Sequence, residues 1–516
     1  MKKKIWQAFP ILLSVLLMSV VFVVSVCTEI IPVGATVVLP SPTWTHQNLL
    51  TNPSPRSKAA MAYDPATGNI VLFGGVGSTI LGDTWTWNGS AWTLLSPAIS
   101  PPPLEGAAMA YDPATSQMLL FGGYNGITWL NSTWSWNGST WTELSTLSSP
   151  AGSFASSGII APVMIYDTAI EQMLMFGAYD TSYGEFSGTW LWNSTAWVYP
   201  LTTGSYHLSP PFLYGSMGYD PATQDVVLFG GYFGGFSPDS ATSATWIFNG
   251  SNWSPASEGE SPPVRYSSSM VYDPVAGGLL LFGGINAAGN TFNDTWIWNG
   301  STWNQYSAAT NPTARYDAAM AYDPQTSSIV MFGGVNSSYA NLNDTWTFGI
   351  PQVVGMAATP TGGGYWLADA AGGVYQFGNV FSYGSMLGQS LNAPVVGITS
   401  TPNGGGYWLV ASDGGVFAFG NAGFYGSMGD ASLNKPIVGM VSTSSGTGYY
   451  MAASDGGIFS LGATPASSPF YGSMGGKSLV QPVVGTAYDL ATGGYWEVAS
   501  DGGVFSFNAP FYGSGY

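Results

Sequence analysis

The chain has 516 residues, with 27 acidic side chains against nine basic ones, a net charge of −18 and charged residues at only 7%. A surface this acidic repels nucleic acid and anionic lipid. The one cysteine, Cys27, lies outside the repeats and the two histidines, His46 and His207, fall in dissimilar settings, which argues against a zinc site or a Cys–His nucleophile; with a single cysteine no disulfide can form within the chain.

Residues 1–35 read as a targeting segment. Lys2, Lys3 and Lys4 precede an apolar stretch from Ile11 to Val26, the order of a basic n-region and an h-region. Cleavage after Cys27 or Ala35 gives a secreted protein. Counted from Ile5, the run is about 22 residues, long enough to remain as a hydrophobic membrane-spanning helix over 5–26. Both outcomes place the rest of the chain outside the cytoplasm, touching the membrane only through this segment. Val26 before Cys27 is bulkier than a lipidation site favours.

From residue 42 to 349 one pattern repeats. Tyr-Asp recurs at Tyr63, Tyr111, Tyr166, Tyr219, Tyr272 and Tyr322, spaced 48 to 55 residues apart. Each copy continues with an apolar run ending in Gly-Gly (Gly177-Ala178 in copy three), then Thr-Trp-x-Trp or a close variant, and in copies one to five an Asn-Gly or Asn-Ser turn before a further Trp. The unbroken runs predict strands covered on both faces. Tryptophans two apart share one strand face, where they can fill the space between sheets. Asn88-Gly89 predicts a two-residue type I′ hairpin. Four short strands per copy, six times over, is the plan of a six-bladed propeller. Copy six stops at Gly349 without a fourth strand, and Pro42-Thr43-Trp44-Thr45 reads like Ser139-Thr140-Trp141-Thr142. Residues 44–50 are therefore expected to supply the outer strand of the last blade and close the ring, as exposed sheet edges require.

This pattern resembles the kelch repeat, within the galactose oxidase-like central domain superfamily, by its glycine doublet and spaced aromatics. The resemblance implies a propeller that serves as a binding platform or scaffold, more rarely as an enzyme. The copper site of galactose oxidase needs two tyrosines, two histidines and a cysteine cross-linked to a tyrosine. Cys27, His46 and His207 do not supply it, so no cofactor and no metal are expected.

Arg56, Arg265 and Arg315 each stand seven residues before the repeat tyrosine, in copies one, five and six, where the other copies have Leu104, Ile159 and Phe212. On a closed ring those three copies are consecutive. The arginines are the candidate ligand-binding set, an arc able to take a carboxylate; alternatively each bonds carbonyls of the adjacent blade. The Tyr-Asp aspartates recur in every copy and suit turn capping. Asp83, Asp294 and Asp344 are expected to cap the third strand. Asn88, Asn137, Asn249 and Asn299 head glycosylation sequons that coincide with the hairpin turn.

After Pro351 the period shortens. Val-Gly recurs at Val354, Val396, Val438 and Val484, 42, 42 and 46 residues apart, each followed by an aromatic run, Asp-Gly-Gly (Ala371 replaces the Asp in the first copy) and Val-x-x-Phe or a relative. These units resemble the GYWLVASDGGVFAFG repeats of secreted actinobacterial proteins. Residues 351–516 are expected to form a second, smaller propeller-like module of four β-repeats, either a closed ring or an open arc.

The expectation is an all-β, exported binding or scaffold protein without enzymatic activity, engaging an extracellular polysaccharide or a surface protein through propeller loops. The rivals are a carbohydrate-active hydrolase or lyase and a structural envelope component. The enzyme would need two loop acids brought together from non-repeating positions such as Glu105, Glu171, Glu185, Glu258 and Glu260.

Overall fold

The computed structural model describes residues 41–516 apart from 48, 50, 149–159, 182–183, 199–209, 211–212, 233–240, 257–258, 309, 351, 388, 390 and 516. The leader expected at 1–35, with Cys27, lies outside the described residues, as do His207, Ile159, Phe212 and Glu258. Every helix or strand assigned among the described residues is a strand. None of them holds a helix long and apolar enough to cross a membrane.

In the first sheet Ala60–Asp64, Asn69–Phe73, Thr84–Trp87 and Trp92–Leu95 pair antiparallel in chain order. The same order recurs in the sheets spanning 108–144, 160–198, 216–255 and 269–306. A sixth four-stranded sheet is made from both ends of this stretch. Ala319–Asp323, Ser328–Phe332 and Thr345–Gly349 are followed outward by Thr43–Gln47, with Thr43 opposite Gly349 and Gln47 opposite Thr345. The first strand of each sheet packs against the first strands of the two neighbouring sheets, and Ala60–Asp64 also packs against Ala319–Asp323, so these strands form a closed cycle.

The second strands carry the core. Residues 70–73 are fully buried, as are their counterparts 279–282 and 329–332. The third-strand tryptophans fill the gaps between sheets. Trp85 and Trp87 pack with Trp92 on Ala319, Val330 and Phe332 of the preceding sheet. Trp134 and Trp136 do the same on Val71 and Phe73. Burying aromatic faces this large supplies much of the sheet-to-sheet stabilisation. The Tyr-Asp aspartates cap the following turn. Asp64 accepts from Ala66 N at 3.0 Å, and Asp112, Asp167, Asp220, Asp273 and Asp323 make the same bond.

Two local expectations need correction. The Asn-Gly hairpin is a four-residue loop, Asn88 to Ala91, because Trp87 pairs with Trp92. Asn88 Oδ1 accepts from Ser90 N and Ala91 N at 3.0 and 2.9 Å. That side-chain bonding replaces the type I′ geometry, and only Gly89 takes positive φ, at 90°. Copy three also departs: its second strand runs on through Gly177 and Ala178 to Thr181.

The units after 351 are three-stranded sheets: Val353–Ala358 with Gly364–Asp369 and Val374–Gly378, then three more of the same order. Their first strands pack in file, Val353–Ala358 on Val395–Ser400, that on Ile437–Ser442, and that on Val483–Tyr488. Among the described residues no comparable contact brings Val483–Tyr488 back to Val353–Ala358. The four sheets form an open array, with its two inner middle strands, Gly406–Ala411 and Gly448–Ala453, buried at every residue.

Candidate functional site

The three arginines are buried to 1% exposure or less. Arg56 grips Asp83 with two nitrogens, at 2.6 and 2.8 Å, and donates to Gly74 O at 3.0 Å. Arg265 holds Asp294 and Gly283 O, and Arg315 holds Asp344 and Gly333 O, in the same way. Each aspartate also accepts from the indole two residues on, Trp85, Trp296 or Trp346. Burial raises these carboxyls, but the guanidinium and indole bonds outweigh it and hold all three below the ordinary carboxylate range. Asp83, Asp294 and Asp344 are thus ion-pair partners rather than strand caps.

The arginine main chain ties sheets together as well. Arg56 O accepts from Gly334 N, Arg265 O from Gly231 N and Arg315 O from Gly284 N. Leu104 O accepts from Gly75 N in the same position. A Cβ on Gly333 would stand 2.4 Å from Arg56 O, which is why the doublet is glycine here. Each arginine thus joins the preceding sheet through its main chain and its own copy through its guanidinium, whose bonds to the aspartate and the glycine carbonyl leave no open cradle for a ligand carboxylate. A sequence signal for this existed: the copies that carry Arg also carry Asp before Thr-Trp, whereas copy two pairs Leu104 with Ser132.

Two residues beyond this position the chain enters the innermost strands. Lys58, Gly106, Ala161, Tyr214, Ser267 and Asp317 occupy equivalent places, all with left-handed φ between 47° and 65°. Their main chains bond from copy to copy: Gly106 N to Lys58 O, Lys58 N to Asp317 O, Asp317 N to Ser267 O and Ser267 N to Tyr214 O. The backbone is the same six times; the side chains are six different ones. Non-glycine residues in this conformation cost energy and are held by their surroundings.

Several polar and aromatic groups gather around this circuit. Lys58 Nζ lies 3.8 Å from Glu105, a weak pair in a partly exposed setting. Burial raises the Asp317 carboxyl, Lys58 and Ser267 pull it back, and Glu105 adds to the rise. Burial, with Asp317 and Glu105, pushes the Tyr214 phenol up to about 12. Tyr266 and Tyr316 are raised too, first by burial and then by Asp317, so all three phenols stay protonated donors. Tyr214 stacks on Tyr232 at 5.6 Å, and Tyr232 meets Tyr266 edge-on at 5.3 Å. Of this cluster the sequence singled out Glu105 alone. The available signal was the loss of repeat identity at one repeat position.

Of the remaining sequence candidates, the side chains of Glu185 and Glu258 lie outside those described. Glu171 and Glu260 are exposed, and His46 is exposed beside Trp346. Asn88, Asn137, Asn249 and Asn299 are exposed turn residues whose Oδ1 atoms accept main-chain N–H groups. Among the described residues no group of His, Cys, Asp and Glu is placed to hold a metal.

Residues 219–362 match the family model described as the KLHDC2/KLHL20/DRC7 Kelch-repeats domain. No curated protein matches the chain. The match over this part of the chain and the repeated four-stranded sheets support a kelch-type β-propeller.

Proposed function

We propose that residues 42–349 form one six-bladed ring, followed by the repeat module at 351–516, and that the chain is exported through residues 1–35. In this reading it is a binding or scaffold protein of the cell surface without catalytic turnover, and it engages a polysaccharide or protein partner at the mouth of the ring. The observation that carries the reading is the circuit of Lys58, Gly106, Ala161, Tyr214, Ser267 and Asp317, where an invariant backbone presents divergent side chains. Half-buried tyrosines with protonated phenols next to one cation and two acids offer what interfaces and sugar sites use: rigid aromatic area with a few placed polar groups.

The test is capture on glycan arrays and by surface proteins of the source cell, using the exported chain and a Lys58→Ala/Tyr266→Ala/Tyr316→Ala variant. Saturable binding lost in the variant, at unchanged melting temperature, supports the reading. Binding that the variant retains overturns it.

A second reading rests on Glu105 and Asp317, two acids in one mouth with Asp317 held toward its protonated form. Such a pair suits hydrolase or lyase chemistry on a saccharide. Turnover of any bound glycan, abolished by Asp317→Asn, would favour it.

A further inference from the structure

The array after residue 351 is held by one contact used three times. Tyr407 of the second sheet donates its phenol to Gly384 O of the first and accepts from Tyr383 N. Tyr449 does the same with Gly426 and Tyr425, and Tyr495 with Gly472 and Tyr471. A backbone bond accompanies each: Val395 N to Ala370 O, Ile437 N to Ser412 O and Val483 N to Ser454 O. All three tyrosines are 0% exposed.

Side chains alternate across each middle strand, so every sheet has an incoming and an outgoing face. Tyr407 and Leu409 face the sheet before; Trp408 and Val410 face the sheet after. The two faces left over at the ends are the unmatched halves of this contact. On the first sheet the incoming Tyr365 is 38% exposed and Met356 65%. On the last sheet the outgoing Val498 is 38% exposed, against 0% for Ala368, Val410 and Ala452 at the same position. Beside Val498 lies a groove of about 470 Å³ lined by Trp496, Val498, Tyr512 and Gly513 among others. Tyr512 and Gly513 are the residues that correspond to Tyr471 and Gly472, which hold Tyr495.

We propose that the occupant of this groove is the first repeat sheet of a second copy of the chain, with Tyr365 seated between Tyr512 N and Gly513 O. The contact continues an interface already built three times within the molecule, so its shape and hydrogen bonds are given by those copies. It joins an outgoing face to an incoming one and is heterologous. Repetition therefore extends to open chains of molecules rather than closing as a two-fold dimer. One bond is missing relative to the first two internal contacts: Ser400 and Ser442 donate to Ala358 O and Ser400 O, whereas Ala358 has no hydroxyl to offer; the third internal contact, with Tyr488 at that position, forms without it. Without the covalent linkage that favours the internal contacts, association is expected at roughly 10–100 μM chain.

Sedimentation of the full chain over that range tests the proposal. The weight-average mass is expected to rise with concentration past a dimer. Tyr365→Lys blocks one end and Val498→Lys the other, and each variant alone is expected to stay monomeric. Mixed in equal amounts they retain one compatible pair of ends and are expected to form a dimer and nothing larger. A wild-type chain that stays monomeric throughout, or association untouched by both substitutions, overturns the proposal. A Phe377→Cys/Gly513→Cys variant on a Cys27→Ser background guards against misfolded blocks, because a Cβ on Gly384 or Gly472 stands 3.0 or 3.1 Å from the equivalent Phe419 or Phe507 ring: a short bis-maleimide is expected to give a ladder of covalent multimers, and cross-links confined to single chains contradict the assignment.

Discussion

The indole of Trp44 donates to Thr295 Oγ1 at 3.0 Å, across 251 residues of chain. It is one of six such bonds. Trp92 reaches Thr345, Trp141 reaches Thr84, Trp197 reaches Thr133, Trp253 reaches Thr189 and Trp303 reaches Thr245. Each outer-strand tryptophan thus bonds the third strand of the sheet before it. Trp44 completes the series because Thr43–Gln47 is the outer strand of the sixth sheet.

Trp44 should therefore matter as much as a tryptophan in mid-chain. Trp44→Phe keeps most of the buried area and loses one hydrogen bond, a cost of about 1 kcal/mol. Trp44→Ala should cost about 3–5 kcal/mol. Urea unfolding measures both, with Trp303→Phe and Trp303→Ala expected to match them.

The arginine braces predict a strongly non-additive pair. Arg315→Leu leaves Asp344 part-buried without its cation and should cost about 3 kcal/mol. Asp344→Ser added to it recreates the Leu104 and Ser132 combination of copy two and should recover most of the loss. A double-mutant cycle by chemical denaturation reads the coupling.

Stability should depend on pH with opposite signs from two sets of acids. Asp83, Asp294 and Asp344 are depressed in the folded state, so their contribution is present above the unfolded carboxyl value and lost as pH falls through the folded one. Glu497 is buried where the other repeats have Leu367, Leu409 and Met451, and both its oxygens lack hydrogen-bond partners. Burial pushes it from an ordinary 4.5 up to about 8. The folded state then binds a proton that the unfolded chain has released, and stability falls as pH rises between those values. The melting temperature should peak in weak acid. Glu497→Leu should remove the decline toward pH 8, stabilising by on the order of a few kcal/mol there, as a melting series from pH 3 to 9 would show.

Glycine substitutions should separate strain from collision. Gly277 has φ of +66° and a methyl group added there would meet nothing within 4 Å, whereas a Cβ on Gly283 meets Arg315 O at 2.4 Å. Gly277→Ala should cost about 1 kcal/mol, and Gly283→Ala clearly more, because the sheet-bridging bond from Gly284 N to Arg315 O shifts with it. Thermal melts of the two variants make the comparison.

The strands were legible because their signals are local. Buried runs such as 279–282, tryptophans two apart and the Asp64-type turn cap all depend on neighbours within a few residues. The Arg–Asp braces span 27 to 29 residues, and arginines considered without those distant acids suggest a ligand site instead. Lys58 and Asp317 meet only because the strand Ala60–Asp64 packs against Ala319–Asp323, which no local pattern announces. The open form of the second array was likewise hidden, since closure depends on small rotations between near-identical sheets.

A partner seated at the mouth of the ring would cover the starts of the inner strands. Hydrogen–deuterium exchange of the chain, with and without a captured glycan or protein, reads that footprint segment by segment. New protection is expected at 56–58, 105–106, 213–214, 266–267 and 315–317. Protection confined to the Asn-Gly hairpins or to the repeats after 351, with those segments unchanged, would contradict this placement.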